Sequence, residues 1–313
     1  MAKQKKIVTL FFEGLKMEVK YFVVRPGTFR LDGGAMFGII PRPLWQKVAP
    51  PDPDNRINLA LRLWLIKTPS KVILVDTGVG DYHGAKFDDR FTVVGGPDPI
   101  KTALLEAEGL TPEDITDVVI SHLHFDHTGG LTQMAQGKTI CSRFPKSRLH
   151  LHRQHYAYAL NPTERDAGSF HQNYFVPVIQ DHEARGLVHW HEGTSGIILT
   201  DGDYQLQFRT SMGHTPHLMH PFDSHYFYMA DLVPTAHHIH VPWIMAYDMA
   251  PGTSAVDKRQ LLLFCVEKKL TILFEHDPDS WGAVVTYDKA RDQFSAQKTF
   301  QQPSPGACSI PAT

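Results

Sequence analysis

The chain has 313 residues, of which 42% are hydrophobic and 20% are charged, so it holds enough apolar material for a substantial buried core. Its formal net charge of -2 argues against a protein that coats nucleic acid or an anionic membrane, because either would need a dense basic face. Three widely spaced cysteines, Cys141, Cys265 and Cys308, argue against a disulfide framework and a cysteine-based zinc knuckle. Function is therefore expected from a local site.

The N-terminus, MAKQKKIVTLFFEG, places basic residues before a short apolar run, as a signal peptide would. Glu13 and Gly14 end that run, however, and no small-residue cleavage site follows. No apolar segment approaches the length of a membrane span. We therefore expect a cytoplasmic location and no association with a membrane.

The predicted elements begin with β-strands. Strand-forming residues dominate the runs KIVTLFF, YFVVRPGTFRL, NLALRLWLIKT and KVILVDTG, which are separated by Gly and Pro turns and predict a meander. A helix follows in DPIKTALLEAEG, where apolar residues recur at helical spacing and Gly109 ends the pattern. The strand DITDVVIS comes next.

The second half repeats this kind of order. Helices are predicted for RQHYAYALN and SAVDKRQLLLFCVEKK, and strands for GIILT, YQLQFRTS, HYFYMAD and LTILFEHD. Strand groups that alternate with isolated helices predict an α/β sandwich, in which two sheets pack on each other and helices cover the outer faces. We expect one catalytic domain over residues 1–300 with loop elaboration near its N-terminus. A flexible tail is expected over residues 301–313, QQPSPGACSIPAT.

Histidines and aspartates recur where predicted strands end. The stretch SHLHFDHTGG follows a predicted strand and carries four of them within six residues, His122, His124, Asp126 and His127. Further strands are followed by Asp76, His214, Asp231 and His276. Loops at strand ends are where a rigid scaffold presents functional groups, so these residues are candidates for one shared site.

The number of candidates points to two metal ions. One tetrahedral site needs three or four ligands, and the stretch SHLHFDHTGG already offers four. Imidazole mixed with carboxylate suits zinc best, with manganese, iron and cobalt as alternatives. A solvated or hydrogen-bonded role without metal is a weak alternative for this run, although it is the better interpretation of the lone His152, His155 and His189.

The motif HLHFDH resembles the signature of the metallo-β-lactamase superfamily, together with VDTG upstream and GHT, Asp231 and EHD downstream. The resemblance covers most of the chain and implies an αββα sandwich with two mixed sheets and the metals at one edge. It implies that the first metal is held by His122, His124 and His214, and the second by Asp126, His127 and His276. Asp231 would bridge the two, and Asp76 would orient the ligand loop without binding metal.

Two divalent ions about 3.5–4 Å apart share a hydroxide at neutral pH, and this hydroxide attacks a carbonyl carbon or a phosphorus. The ions also stabilise the oxyanion that develops and the leaving alkoxide. Within this scheme Asp126 orients the hydroxide or passes a proton, and Asp231 holds both ions. The implied reaction class is hydrolysis.

Two departures from the family pattern concern the substrate side. Many relatives follow the proline of the GHT motif with a glycine and then a histidine, whereas this chain has His217 and Leu218. Some lactonases place a substrate-contacting tyrosine three residues after the bridging aspartate, where this chain has Pro234. Replacements for that tyrosine are sought among Tyr174, His238 and Tyr247.

Three aromatic-rich stretches, LDGGAMFGIIPRPLW, FHQNYFVP and HHIHVPWIMAYD, are expected to form loops that wall an apolar pocket beside the metals. The expected pocket residues are Met36, Phe37, Trp45, Tyr174, Phe175, His238, Trp243 and Tyr247. These stretches resemble the branch that contains quorum-quenching N-acyl-homoserine lactonases and methyl parathion hydrolase.

The resemblance implies a dinuclear metal-dependent hydrolase that opens lactones or cleaves related esters, with organophosphate triesters as further substrates. It also implies a small-molecule substrate and a homodimer. The alternative is an oxidoreductase with one iron, as in the sulfur dioxygenases of the same superfamily. A non-catalytic sensor on the same fold is the weakest interpretation, because all seven metal-ligand residues of the family pattern are present.

Overall fold

The structure, a computed structural model, describes residues 18–135, 139–302 and 304–312. The strand predicted from KIVTLFF lies outside these residues. In chain order the strands of the described ranges are β1 (Lys20–Asp32), β2 (Arg56–Lys67), β3 (Val72–Val75), β4 (Asp117–Val119), β5 (Thr132–Met134), β6 (Ile140–Ser142), β7 (Arg148–His152), β8 (Val188–His191), β9 (Ser195–Asp201), β10 (Tyr204–Ser211), β11 (Leu218–Phe222), β12 (Tyr226–Tyr228), β13 (Thr271–Leu273), β14 (Ser280–Asp288), β15 (Gln293–Gln301) and β16 (Gly306–Ile310).

Helices connect and cover these strands. In chain order they are α1 (Gly33–Phe37), α2 (Arg42–Trp45), α3 (Ala85–Phe91), α4 (Pro99–Glu108), α5 (Phe125–Thr128), α6 (Arg153–Leu160), α7 (Gln172–Ala184) and α8 (Pro251–Lys268). Short 3₁₀ turns lie at Pro112–Asp114, Gly129–Leu131, Ala167–Ser169, Ala230–Leu232 and Ala236–Ile239. Within the described ranges, none of the helices combines the length and the apolar character that a bilayer crossing requires.

The strands form two seven-stranded mixed sheets. The first has the order β16-β1-β2-β3-β4-β7-β8, and its strands are parallel from β3 to β8 and antiparallel on the other side. The second has the order β15-β14-β13-β12-β11-β10-β9, and only β12 and β13 within it run parallel. Strands β5 and β6 form a separate small hairpin.

Strand β2 shows how the sequence builds these layers. Trp64 and Ile66 pack between the two sheets, whereas Leu63 and Leu65 face the helices outside the first sheet. Successive side chains of a strand point to opposite faces, so a strand buried on both faces is apolar at nearly every position. The uninterrupted apolar run of β2 therefore follows from its central place in the fold.

The outer layers are helical on both sides. Helices α4 and α7 bury Ile100, Leu104 and Ile179 against the outer face of the first sheet. Helix α8 buries Leu261 and Leu262 against the outer face of the second. The αββα sandwich with two mixed sheets that the sequence predicts is therefore confirmed.

The fold brings strand ends from both sheets to one edge. Parallel neighbours end at the same edge of a sheet, and each sheet has such a pair near its middle, β3 with β4 and β12 with β13. The segments after these four strands carry, in chain order, Asp76, the stretch from His122 to His127, Asp231 and His276. Antiparallel β10 adds His214 just beyond its last residue.

Two expectations about irregular segments were wrong. Within the predicted flexible tail, Gly306–Ile310 forms β16, which pairs with β1 and buries Ile310 between the sheets. The Pro and Ser residues near this short strand are typical of irregular segments, so the sequence did not predict it. The stretch FHQNYFVP lies largely in α7 rather than in a loop, and Pro177 sits inside that helix because the buried side chains of Phe175 and Ile179 hold the helix against the first sheet.

Candidate metal centre

The stretch SHLHFDHTGG changes conformation at His124. The chain leaves β4 extended, and His124 still has extended backbone angles before α5 begins at Phe125. The extended part lets His122 and His124 project toward one place, and the helical turn carries Asp126 and His127 to a neighbouring place. All four side chains are buried.

The glycines of this stretch permit a close approach of the VDTG segment. A Cβ atom on Gly129 would lie 1.7 Å from the carbonyl oxygen of Val79, and one on Gly130 would lie 2.1 Å from that of Thr77. No side chain fits at either position. The approach lets the Thr77 amide and hydroxyl both donate to the carbonyl of His127, at 2.8 and 2.9 Å, which ties α5 to the end of β3.

One group of ligand-type atoms is formed by His122, His124, His214 and Asp231. Nδ1 of His124 lies 3.0 Å from Nε2 of His122 and 3.2 Å from Nε2 of His214. Nε2 of His214 lies 3.1 Å from Oδ2 of Asp231. These four atoms surround a space of the size that one metal ion needs.

A second group is formed by Asp126, His127, Asp231 and His276. Nε2 of His276 lies 3.1 Å from Oδ1 of Asp231 and 3.6 Å from Oδ2 of Asp126. Nε2 of His127 lies 3.5 Å from Oδ2 of Asp231. Asp231 therefore belongs to both groups, and the structure brings together all seven residues that the sequence singles out.

Several of these atoms are close to one another without hydrogen-bond geometry. Nε2 of His127, Nε2 of His276 and Oδ1 of Asp231 are buried and make no hydrogen bond to a described residue. Buried polar atoms are normally paired, so atoms that converge on one another and remain unpaired fit the ligands of a shared cation. The two His and Asp groups are therefore able to bind metal ions.

The outward-facing nitrogens of the histidines are fixed by hydrogen-bond acceptors. Nδ1 of His214 lies 2.9 Å from Oδ1 of Asp248, and Nδ1 of His276 lies 2.8 Å from the carbonyl oxygen of Ala60. An acceptor on one ring nitrogen fixes the tautomer and orients the other nitrogen toward a metal. Asp248 was not found from the sequence, because nothing near it in the chain marks it as part of a site.

His127 has two carboxylate partners. Oδ2 of Asp76 and Oε2 of Glu275 each lie 2.9 Å from its Nδ1. Asp76 also accepts hydrogen bonds from the amide and the hydroxyl of Ser121, at 2.7 and 2.6 Å, as expected of a residue that orients the ligand loop. Burial raises the pKa of Glu275 to about 7, against the opposing charge of His127. Glu275 was missed from the sequence although it precedes His276 in EHD.

The segment that carries His276 is held by a buried arginine. The guanidinium of Arg62, on β2, donates to the carbonyl oxygens of Phe274 and Asp277 at 2.8 and 2.9 Å, and to the side chain of Gln302 at 2.8 Å. Arg62 is 1% exposed, so these contacts replace water at a charged group. The backbone on both sides of His276 is thereby fixed to the first sheet.

Electrostatics divide the histidines into two kinds. Burial lowers the pKa of His214 and of His276, but the nearby carboxylates, Asp231 first, outweigh burial and raise these values to about 10 and about 9. Burial and the neighbouring imidazoles hold the pKa values of His122 and His124 well below the ordinary range. In the metal-free protein His214 and His276 thus hold protons that a divalent cation would displace.

His217 and His220 belong to neither group of ligand-type residues. His220 lies within β11, with Nε2 2.9 Å from the hydroxyl of Ser211. His217 stacks on His152 with ring centroids 4.8 Å apart, and its φ angle is 60°. This left-handed conformation favours glycine, the residue that many relatives have at the position of His217.

A pocket of about 500 Å³ opens beside the two groups, a size typical of small-molecule sites. Apolar side chains contribute most of its surface, and five of the seven ligand-type residues are among its lining residues. The lining residues are Leu31, Ala35, Met36, Phe91, His124, Phe125, Asp126, Arg165, Asp166, Gly168, Ser169, His214, Asp231, Met245, Ala246, Tyr247 and His276.

Of the eight predicted pocket residues, only Met36 and Tyr247 line this pocket. The prediction that Phe37, Trp45 and His238 line the pocket is wrong. Phe37 stacks on Trp45 on one side and on His238 on the other, and all three side chains are buried. Trp243 packs edge-on against Phe37 and is not among the lining residues of the pocket. Both ring nitrogens of His238 are engaged, by Thr235 and by the Met36 carbonyl, so His238 offers nothing to a substrate.

The two predictions from FHQNYFVP are also wrong. Phe175 lies in the core between α7 and the first sheet, because α7 turns its ring inward. Tyr174 lines a different cavity, next to His83 and Phe87. Both residues lie in α7, so the direction of each side chain depends on its place around the helix. Aromatic composition alone does not specify that direction.

Solved structures with similar folds cover nearly the whole chain. A probable metal-dependent hydrolase from Staphylococcus aureus is similar with a TM-score of 0.76 at 24% identity, covering 92% of this chain and 98% of that one. AidC, a dizinc quorum-quenching lactonase in complex with the product N-hexanoyl-L-homoserine, is similar with a TM-score of 0.66 at 19% identity, covering 93% and 96%. At such identities the likeness shows the fold.

Curated N-acyl homoserine lactonases are similar to parts of the chain. One from Bacillus cereus is 35% identical over 86 residues, which are 25% of this chain and 34% of the relative. AttM of Agrobacterium fabrum is 24% identical over 185 residues, 57% of this chain and 64% of the relative. The chain thus matches between about a third and two thirds of the length of these relatives.

The profile of the Metallo-beta-lactamase superfamily matches residues 63–289, which is well over half of the chain and includes all seven ligand-type residues. Together with the two mixed sheets and their helical layers, this match establishes the family. The chain therefore belongs to the metallo-beta-lactamase superfamily.

Proposed function

We propose that this protein is a dinuclear metal-dependent hydrolase that opens lactones or cleaves related esters. The observation that carries the proposal is the pair of buried His and Asp groups that share Asp231 and border a pocket with a largely apolar surface. Two divalent ions held there would lower the pKa of a shared water toward about 7 and polarise the substrate carbonyl. Organophosphate triesters are proposed as further substrates of the same site.

Each of the seven ligand-type residues has a role in this proposal. His122, His124 and His214 would hold one ion, His127 and His276 would hold the other, and Asp231 would contribute to both. Asp126 takes part in the second group and also lines the pocket, so its carboxylate is accessible to a substrate. We assign it the transfer of a proton to the leaving alkoxide, because a general acid or base must reach the reacting atoms.

Tyr247 is the donor that we propose for the substrate carbonyl. Of the three candidates from the sequence, it alone lines the pocket with Asp126 and Asp231. Burial, then the charges of Asp32, Asp126 and Asp231, raise the pKa of Tyr247, so its hydroxyl keeps its proton at neutral pH. A neutral hydroxyl aimed at a developing oxyanion stabilises it without adding charge.

The comparisons favour N-acyl-homoserine lactones within the lactone class. AidC is a lactonase with the product N-hexanoyl-L-homoserine bound, and the curated relatives are N-acyl homoserine lactonases. Apolar side chains in the pocket wall, such as Leu31, Phe91 and Met245, suit an acyl chain. We extend this substrate to the present chain as part of the proposal.

The test is turnover by the metal-loaded protein. A series of γ- and δ-lactones, N-acyl-homoserine lactones of increasing chain length, simple aryl esters and a paraoxon-like triester should be assayed together with metal content. The expected result is two metals per chain and fastest turnover of a lactone. Protein that holds two metals and hydrolyses none of these compounds would overturn the proposal.

The same measurement separates the alternative oxidoreductase. One iron per chain together with oxygen consumption on a persulfide would support the mononuclear iron enzyme. Two buried groups of four ligand-type residues favour the dinuclear hydrolase instead. We further propose zinc as the resident metal, a cytoplasmic location, a homodimer, and no binding to nucleic acid or membrane; metal analysis and sedimentation test the metal and the dimer.

A further inference from the structure

One arginine side chain at the pocket has no carboxylate partner among the described residues. Among the residues that line it, Arg165 is the single lysine or arginine. Its guanidinium forms an ion pair with none of the described carboxylates, although the chain forms many such pairs elsewhere. Arg165 is exposed at the pocket, and a guanidinium without a carboxylate partner is available to a ligand that brings its own negative charge.

Arg165 is held in place at the pocket wall. It lies between α6 and α7 in the chain, and its Nη2 donates to the carbonyl oxygen of Ala246, another lining residue. A guanidinium has five N–H donors, so one bond to a carbonyl leaves four of them available. The contact with Ala246 fixes the orientation of the planar group without satisfying it.

The carboxylate of the adjacent Asp166 forms no ion pair with Arg165. Asp166 is buried, and its two oxygens accept hydrogen bonds from the hydroxyls of Tyr158 and Thr163, at 2.6 and 2.7 Å. The other carboxylates at the pocket, Asp126 and Asp231, belong to the proposed metal centre. The positive charge of Arg165 therefore has no counterpart in the pocket wall.

We propose that Arg165 binds a carboxylate carried by the acyl part of the substrate, so that among the lactones and esters proposed above, acyl-homoserine lactones included, this site prefers those whose acyl part bears a carboxylate. The proposal rests on the proposed hydrolase function and names its substrate class more closely. A pocket of about 500 Å³ is about 10 Å across, so a short chain would join a scissile carbonyl beside the ligand-type residues to a carboxylate at Arg165.

The test compares dicarboxylates with monocarboxylates of equal chain length. Succinate, adipate and suberate, and in parallel butanoate, hexanoate and octanoate, are titrated into the metal-loaded protein by calorimetry. One carboxylate of each compound is expected at the metal centre, and only the diacids have a second for Arg165. The best diacid should bind about tenfold more tightly than its monoacid, the gain expected of one charge-assisted pair at a partly open site.

Variants separate recognition from a structural role. Arg165→Gln should reduce the advantage of the diacid to within about twofold and leave monoacid binding unchanged. Arg165→Lys should retain part of it, because the charge remains and the planar fork is lost. Arg153→Gln is the matched control, since Arg153 pairs with Glu192 outside the pocket, and it should leave the advantage intact.

Each outcome decides a separate question. A diacid advantage that is absent from the wild-type protein, or that survives in Arg165→Gln, would overturn the proposal. Equal weakening of diacid and monoacid by Arg165→Gln would show that the residue only braces the wall against Ala246, which also overturns it. Absence of any lactone or ester hydrolysis would instead refute the hydrolase function, and the binding comparison would still decide the role of Arg165.

Discussion

Oδ1 of Asp248 lies 2.9 Å from Nδ1 of His214, and both side chains are buried. Asp248 directly follows Met245, Ala246 and Tyr247, which form part of the pocket wall. One short loop therefore shapes the substrate pocket and also orients a proposed metal ligand. A substitution in this loop will affect metal binding and substrate binding differently, depending on which of the two contacts it removes.

Asp248→Ala is expected to weaken metal binding by about tenfold to a hundredfold, because His214 loses the acceptor that orients its ring. Titration of the metal-free variant with zinc measures the effect directly. Asp292→Asn, a change at an exposed ion pair with Arg259, is the control and should bind zinc as the wild type does. Equal zinc affinity in Asp248→Ala and the wild type would contradict the orienting role.

Asp231→Ala is expected to remove metal and activity together. Asp231 contributes to both ligand groups, and its loss leaves two cations with less balancing charge in a buried site. Elemental analysis after purification should find fewer than one metal per chain. Asp181→Asn, at an exposed ion pair with Arg185, should keep full metal content. Two bound metals in Asp231→Ala would show that the bridging assignment is wrong.

Tyr247→Phe is expected to lower kcat by about tenfold to a hundredfold and to leave metal content unchanged, because it removes one donor to the substrate oxygen. Steady-state kinetics on the best lactone substrate provide the measurement. Tyr174→Phe is the matched control, since Tyr174 lines another cavity and should not affect kcat. A loss that falls on KM alone would point to packing of the acyl chain instead of oxyanion stabilisation.

Arg62→Met is expected to lower the free energy of unfolding by about 3 kcal/mol or more, because three buried acceptors around His276 lose their donor. Urea denaturation measures this quantity. Arg291→Met, at an exposed position, should change it by no more than about 0.5 kcal/mol. If Arg62→Met were as stable as the wild type, water or a rearranged side chain would have to satisfy those acceptors.

The stability of the protein should depend on pH through Lys258. Its ammonium donates to the Trp243 carbonyl at 2.6 Å, and burial lowers its pKa to about 7 from the ordinary lysine value of 10.5. Between these two values the unfolded chain keeps a proton that the folded chain has released, so the free energy of unfolding rises with pH. Below about 7 both states hold the proton and this contribution is constant.

Lys258→Met should therefore reduce the rise in stability between about pH 7 and pH 9.5, as measured by urea denaturation across that window. The lost hydrogen bond to Trp243 adds only an offset that does not vary with pH. Lys289→Met, at an exposed site, should retain the wild-type slope. Identical slopes in Lys258→Met and the wild type would show that Lys258 does not titrate in this range.

The ligand-type residues could be predicted because they follow buried strands. A strand such as β3, Val72–Val75, is recognisable from local composition, and the residue after it must lie at a sheet edge. Asp248 follows no strand, and Glu275 follows β13 as His276 does, but the roles of both come from contacts across the fold that the local sequence does not specify. Their partners, His214 and His127, are 34 and 148 positions away in the chain.

The pocket was predicted poorly for a different reason. Aromatic residues near glycine and proline do indicate a loop-rich region, but composition does not say which face of a short helix a ring occupies. Met36 and Phe37 are neighbours in α1; Met36 lines the pocket and Phe37 is enclosed between Trp45 and His238. Consecutive helical positions differ by about 100° in direction, so one can face a substrate and the next the core.

The pairing of β1 with β16 has a consequence for synthesis of the protein. Tyr21 lies opposite Ile310, so the first sheet cannot be completed until Ile310 has left the ribosome, 289 residues after Tyr21. Until then β1 can pair with β2 on one edge, while its other edge, which later pairs with β16, has no partner. Such an edge invites association with other nascent chains, and contacts this distant in sequence form slowly. We therefore expect the yield of folded protein to depend on chaperones and on low expression temperature more than its final stability would indicate.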